Sequence, residues 1–273
     1  MKQKVILITG ASGGIGAEAA RMLSARGHRV YGAGRNASKL ESLREAGVIP
    51  ISMDVADEAS MAAGVEQILQ AEGRIDVLVN NAGFGYFGAI ETVPISEARK
   101  QLEVNVFGMA RLTQLVLPSM REQGSGRIIN ISSLAGLMTV PMGGWYNISK
   151  YAVEAFSDAL RMEVRPFGIK VSIIEPGGIK TGWGAIAADN LEESTRGSVY
   201  EDAAAREAAI LRKGYSTNLL APPACVARAI TRAAVSRRPR LRYRMGTASH
   251  AGAFFHAIIP ARWWDAMLRL LLQ

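Results

Sequence analysis

Tyr146 and Lys150 stand four residues apart in Trp145-Tyr-Asn-Ile-Ser-Lys150, and Ser133 lies thirteen residues before the tyrosine. On a helix, residues i and i+4 share a face, so the phenol and the ammonium can act together. A tyrosine hydroxyl can give a proton to a forming alkoxide or take one from an alcohol, but an ordinary pKa of about 10 makes it a poor base at neutral pH. The nearby lysine charge favours the phenolate and is expected to lower that pKa. Lys150 can also donate to ribose hydroxyls. Ser133 ends the apolar run Arg127-Ile-Ile-Asn-Ile-Ser-Ser133, where its hydroxyl can hold a substrate oxygen. The chemistry these groups suit is hydride transfer between a nicotinamide and an alcohol or carbonyl. Tyr-x-x-x-Lys also recurs by chance on ordinary helices, so its weight depends on what accompanies it.

What accompanies it is a glycine turn, Thr9-Gly10-Ala-Ser-Gly-Gly14-Ile-Gly16. Glycines permit a tight turn and close backbone approach, and the helix that follows points its N-terminus at a pyrophosphate. The spacing is Gly-x-x-x-Gly-x-Gly and not the commoner Gly-x-Gly-x-x-Gly. Twenty residues on, Val30-Tyr-Gly-Ala-Gly-Arg35-Asn36 has no acid to bind a ribose 2′-hydroxyl, whereas the Arg35 guanidinium suits a 2′-phosphate. The reading favours NADP(H), with NAD(H) as the alternative.

Together, and in this order, these stretches resemble the short-chain dehydrogenase/reductase family in its single-domain branch. Further matching segments are Asp54-Val55, Asn80-Asn81-Ala82-Gly83, Asn105 in Glu103-Val-Asn-Val-Phe-Gly108, and Pro176-Gly177 with Thr181. The resemblance implies a catalytic set of Asn105, Ser133, Tyr146 and Lys150, with the asparagine bending its helix and holding a water near the lysine. It places the cofactor against Gly10, Ser12, Gly14, Ile15 and Gly16, then Asp54 and Val55, then Asn80, Ala82 and Gly83. Pro176, Gly177, Ile179 and Thr181, with Tyr146 and Lys150, complete that set. Asp54 is expected at the adenine amino group, although a strand-end aspartate can equally cap the next helix. The family often carries a second basic residue in the glycine turn; Gly13 stands there instead. Gly34-Arg-Asn, Ala-Ser-Lys39-Leu and Arg238-Pro-Arg-Leu-Arg-Tyr243 look most like the hydroxysteroid and retinol dehydrogenase-like branch.

Strand-like and helix-like segments alternate along the chain, which predicts an α/β fold: a Rossmann-type doubly wound parallel sheet with helices on both faces. Strands are expected over 5–9, 29–33, 48–53, 75–79, 127–131, 170–174 and 240–245. Helices are expected over 16–26, 38–46, 58–71 and 95–123, the last with Pro118 near its end, and around Tyr146. No linker divides residues 1–273. The segment 182–218 is too long for a simple connection and reads as a substrate lid. Phe84, Tyr86, Phe87, Leu134, Met138, Met142 and Trp145 are expected as pocket walls, with Trp183, Ile186, Leu191 and Tyr200 of the lid. All suit an apolar substrate.

The net charge of +8 and the arginines at 237, 238, 240, 242 and 244 could suggest nucleic acid or an anionic membrane. Alternation of Arg240, Arg242 and Arg244 with Leu241, Tyr243 and Met245 favours a half-buried edge strand with solvated arginines, and no nucleic-acid motif accompanies them. One cysteine, Cys225, and three scattered histidines offer neither disulfide nor metal spacing, and the start Met-Lys-Gln-Lys shows no signal peptide. A cytoplasmic homodimer or homotetramer is the expected setting. The apolar tail over 253–273 is expected to pack on its own domain, then in decreasing order to close a neighbouring subunit's pocket or rest on a membrane surface. A redox-neutral epimerase or dehydratase and a non-catalytic nucleotide sensor are the competing functions. The former usually carries a larger C-terminal substrate domain, and the latter commonly loses the tyrosine that is present here.

Overall fold

The computed structural model describes residues 2–217, 220–246 and 249–272. Met1, Asn218 at the end of the expected lid and Gln273 at the end of the tail lie outside the described residues. All five residues of Val5–Thr9 (β1) are buried, as expected of a strand covered on both faces. Ile6 and Ile8 enter one core layer, Val5 and Leu7 the other, following the two-residue period of a strand. Six more strands join it: β2 (Arg29–Gly34), β3 (Ile49–Ser52), β4 (Val77–Asn80), β5 (Gly126–Ile131), β6 (Ile169–Pro176) and β7 (Arg242–Met245). They form one parallel sheet in the order β3-β2-β1-β4-β5-β6-β7.

Parallel neighbours need crossovers, and helices supply them. One face is covered by α1 (Gly14–Ser24) and α9 (Pro223–Val235), through Ala20, Leu23, Ile230 and Ala234. On the other lie α3 (Glu58–Glu72), α5 (Met109–Glu122) and α6 (Gly144–Val164), through Ile68, Leu112, Val116 and Leu160. The remaining helices are α2 (Ala37–Glu41), α4 (Ile95–Leu102), α7 (Trp183–Thr195), α8 (Glu201–Ser216), α10 (Ser249–Ile258) and α11 (Ala261–Leu272).

Three expectations are corrected. The helix expected over 38–46 is the short α2 followed by a 3-10 turn, Arg44–Ala46, which Gly47 ends at φ +74°. The helix expected over 95–123 is broken by a π-turn at Glu103–Gly108. There a Cβ on Gly108 would stand 2.0 Å from the Val55 carbonyl oxygen, so the backbone passes too close for any side chain. The widened turn directs Asn105 inward, where it is buried; π-turns of this kind concentrate at functional sites. Finally, Arg242 and Arg244 are only partly solvated, each about a third exposed. Arg242 pairs with Glu154, Asp158 and Glu175, and Arg244 with Glu175. Glu154 and Glu175 are buried, and buried carboxylates require such partners.

The segment after Thr181 forms a helical hairpin. Ala187, Ala188 and Leu191 of α7 pack on Ala204 and Ala208 of α8 and on Phe87, and Arg212 of α8 pairs with Asp189 and Glu192 of α7. The tail packs on the domain only in part. A Cβ on Gly252 would stand 3.3 Å from Leu134 and Met138 atoms, and Trp264 is buried with its ring on His256.

Candidate active site

The carboxyl ends of β1 to β6 surround a cavity of about 670 Å³, at the edge where open parallel sheets hold ligands. Gly10 (φ +64°) and Gly14 (φ +55°) shape the turn after β1. A Cβ on Gly16 would meet the Gly10 oxygen at 2.5 Å, whereas at Gly13 and Gly14 it would meet nothing within 4 Å. The first glycine contact closes the turn onto its helix, and the other two leave open space beside the backbone. No side chain caps α1, so its first-turn N–H groups keep their capacity for an anion. Thr9 ties this turn to the loop after β4. Its Oγ1 accepts from the Asn81 and Ala82 N–H groups, each at 3.0 Å, and Asn81 Nδ2 donates to the Thr9 carbonyl at 2.9 Å.

Tyr146, Lys150 and Ser133 all line the same cavity. Lys150 is buried and its Nζ donates to the Ile131 carbonyl at 2.9 Å. Burial brings its ammonium down to about 8, against the opposing charge of Glu154 one turn later. Burial pushes the Tyr146 phenol up to about 12, and the Ser133 hydroxyl offsets only part of that. The ammonium is held by Ile131 and lies 5.8 Å from the centre of the tyrosine ring. A consequence follows for pH. The Lys150 charge is present below about 8 and lost above it, so kcat/KM should fall as pH rises through that value, and Lys150→Met should remove that limb and weaken cofactor binding. A wild-type profile flat between about pH 7 and 9.5 would contradict this.

Asn105 lies beside the cavity but not on its wall. Its Oδ1 accepts from the Phe84 N–H at 3.0 Å, and its Nδ2 donates to the Phe84 carbonyl (2.8 Å) and to Ser149 Oγ (3.0 Å). It locks the loop after β4 to α6, and a Cβ on Gly83 would stand 3.0 Å from its Oδ1 and 3.7 Å from Lys150 Nζ. Its side chain thus holds neighbours in place. Asn80 is also set back: its Nδ2 donates to Thr113 Oγ1 and Asn130 Oδ1, and Asn81 takes the wall position. Gly16 closes the turn from behind. The other expected contacts, Gly10, Ser12, Gly14, Ile15, Arg35, Asp54, Val55, Ala82, Gly83, Pro176, Gly177, Ile179 and Thr181, line the cavity. Asp54 accepts from the Ala56 N–H, while Asp57 is the residue that caps α3.

The expected substrate walls are met unevenly. Phe84, Trp183 and Ile186 line the cavity. Phe87 stacks behind Tyr146 and Trp183. Leu134 and Met138 are covered by α10, Leu191 is buried between α7 and α8, and the Tyr200 hydroxyl donates to Glu91 outside. Tyr86, Met142 and Trp145 do not line the cavity. Two lining residues had no sequence signal for their place. Tyr215 of α8 stacks on Trp183 at 5.8 Å, and Lys39 of α2 stands on the wall with Arg35.

Residues 4–191 match the family described as short chain dehydrogenase. The chain is 36% identical over 266 residues, 97% of each chain, to a probable short-chain type dehydrogenase/reductase, VdlC, of Helicobacter pylori. It is 45% identical over 183 residues to a 3-ketodihydrosphingosine reductase of Bacteroides thetaiotaomicron, covering 67% of this chain and 66% of the relative. A short-chain dehydrogenase structure from Streptomyces avermitilis superposes with a TM-score of 0.81 at 36% identity, covering 94% of this chain and 93% of that one. With that sheet, that cavity and those relatives, the chain belongs to the short-chain dehydrogenase/reductase family and is an NAD(P)-dependent oxidoreductase.

Proposed function

We propose that the protein reduces the carbonyl of an apolar small molecule with NADPH, and catalyses the reverse oxidation of the secondary alcohol. The observation that carries this reading is one continuous cavity with Ser133, Tyr146 and Lys150 at one end and Arg35 and Lys39 at the other. When bound, the nicotinamide supplies or accepts the hydride. Ser133 and Tyr146 offer two hydroxyls to the substrate oxygen. A phenol held at about 12 stays protonated through the neutral range, which suits a donor to the alkoxide formed on reduction. Phe84, Trp183, Ile186 and Tyr215 supply apolar wall. The 3-ketodihydrosphingosine reductase relative is named for a ketone with a long hydrocarbon chain, which agrees with that wall.

Two observations support NADP(H). Arg35 is 77% exposed and only 3.9 Å from Asp54; an exposed pair of this kind is weak, so the guanidinium can turn to a 2′-phosphate. Lys39 adds a second cation on the same wall, offsetting the one missing at Gly13. Asp54 is the one carboxylate residue among the lining residues. Arg35→Asp removes a charge-assisted contact worth roughly 1.5–3 kcal/mol and repels the phosphate, so NADPH affinity should fall by about ten- to a hundredfold and preference should move toward NADH. Fluorescence titration of the wild type with both reduced cofactors is the direct check. Tighter binding of NADH would overturn the NADP assignment.

A further inference from the structure

The protein's formal charge of +8 is concentrated at one end of its sequence. Residues 221–273 hold nine arginines, no lysine and a single acid, Asp265, so the whole excess lies in the last 53 residues. Among the described residues, Arg242 and Arg244 are the two of these arginines committed to carboxylates. Among the described residues Arg228, Arg232, Arg240, Arg262 and Arg269 pair with none. A second cavity, of about 500 Å³, is lined by Arg228, Arg232, Arg240 and Arg244 together with His250.

Beside it lies an apolar face turned outward. In α10, Ala251, Phe254, Phe255 and Ile258 recur at i, i+3, i+4 and i+7, the spacing that normally faces a core. Here they face solvent: Phe254 and Ile258 are each 59% exposed and Phe255 48%. His250 lines the arginine cavity and lies one turn before Phe254 on the same helix face, so the cavity opens next to this stripe. In α11, Trp264 turns inward while Trp263 and Leu270 are 73% and 75% exposed. Arg262 and Arg269, seven residues apart, flank that second stripe. Among the described residues no helix is long and apolar enough to cross a membrane.

We propose that α10 and α11 seat the protein on an anionic phospholipid surface, with Phe254, Phe255, Ile258, Trp263 and Leu270 entering the interface and the unpaired arginines meeting lipid phosphates. An outward apolar stripe flanked by arginine is the pattern of helices that lie in the plane of a membrane interface. A second copy is a poorer occupant. Apposing two such faces brings arginine against arginine, with Asp265 the one acid that residues 221–273 of each copy offer to answer them. Nucleic acid would answer the arginines but leave the phenylalanine stripe in water. The inference is independent of the substrate and cofactor reading, because no residue in it lines the catalytic cavity.

Flotation of the full chain with vesicles provides the test. It should rise with phosphatidylglycerol/phosphatidylcholine vesicles, less so at high salt, and stay down with phosphatidylcholine alone. Each basic residue near such a surface contributes about 1 kcal/mol, so R262Q/R269Q should weaken partitioning about thirtyfold. F254S/F255S should lose flotation with unchanged circular dichroism and melting temperature, since both rings are exposed. No flotation, or equal flotation with neutral vesicles, would overturn the proposal. So would a solution dimer dispersed by F254S/F255S, which assigns the face to a second copy. Salt-sensitive binding to duplex DNA that F254S/F255S leaves intact would assign the arginines to nucleic acid and overturn it equally.

Discussion

Tyr146→Phe is expected to abolish turnover while leaving cofactor binding and the fold intact. The tyrosine ring packs 5.7 Å from Phe87 and 5.4 Å from Trp183, and phenylalanine preserves both contacts. What is lost is one hydroxyl on the cavity wall, beside Ser133. A positioned general acid typically contributes 10²–10⁴-fold, so kcat should fall by at least about a hundredfold. Because the ring, Lys150 and the glycine turn remain, the cofactor dissociation constant should change by less than about twofold, which separates lost chemistry from lost binding. Tyr215 sharpens the experiment. It lines the same cavity, and burial, with Tyr146 beside it, raises its hydroxyl to about 12 as well. Were Tyr215 the donor, Tyr215→Phe would carry the large loss and Tyr146→Phe would retain more than about a tenth of the activity, and that result would sink the assignment.

The parts of the site that lie on regular elements were legible because local rules suffice there. An apolar run bounded by glycine places Val5–Thr9 in a buried strand, and one helical turn places Tyr146 beside Lys150. What escaped depends on contacts distant in sequence. The π-turn around Asn105 arises where Gly108 meets the Val55 carbonyl, 53 residues earlier in the chain. Lys39 reaches the cavity because Asn36 starts α2 by accepting from the Lys39 N–H, and no periodicity announces where that short helix points. Tyr215 arrives on the second arm of a helical hairpin whose packing is set by Ala187, Leu191 and Ala204. Sequence shows that a lysine is near Tyr146, but neither that the phenol is buried nor that Ile131 holds the ammonium.

Burial also decides the second large effect, the loss expected from Arg242→Met. Arg242 comes from β7 and reaches three carboxylates: Glu154 and Asp158 on α6, and Glu175 on β6. Glu175 is fully buried and keeps Arg244 at 2.8 Å when Arg242 is removed; Glu154 keeps no other cation among its ion pairs. Breaking a buried pair by deleting one partner costs 3–5 kcal/mol, and since Arg242 is about a third exposed and Glu175 retains a partner, about 3 kcal/mol is expected in urea unfolding. The pH dependence identifies the cause. Burial already raises the Glu154 carboxyl above its usual range, with Ser132 and Arg242 holding it back, so without Arg242 it rises further. A carboxyl raised in the folded state binds its proton there more readily than in the unfolded chain, so its stabilisation is present at low pH and lost as pH rises through the folded value. The variant should therefore lie closer to wild type at acid pH than at neutral pH. Adding Glu154→Leu to Arg242→Met should recover part of the loss, because the orphaned charge is then gone. If the penalty is the same at both pH values and the double variant recovers nothing, the destabilisation comes from lost packing and the ion pair is not its source.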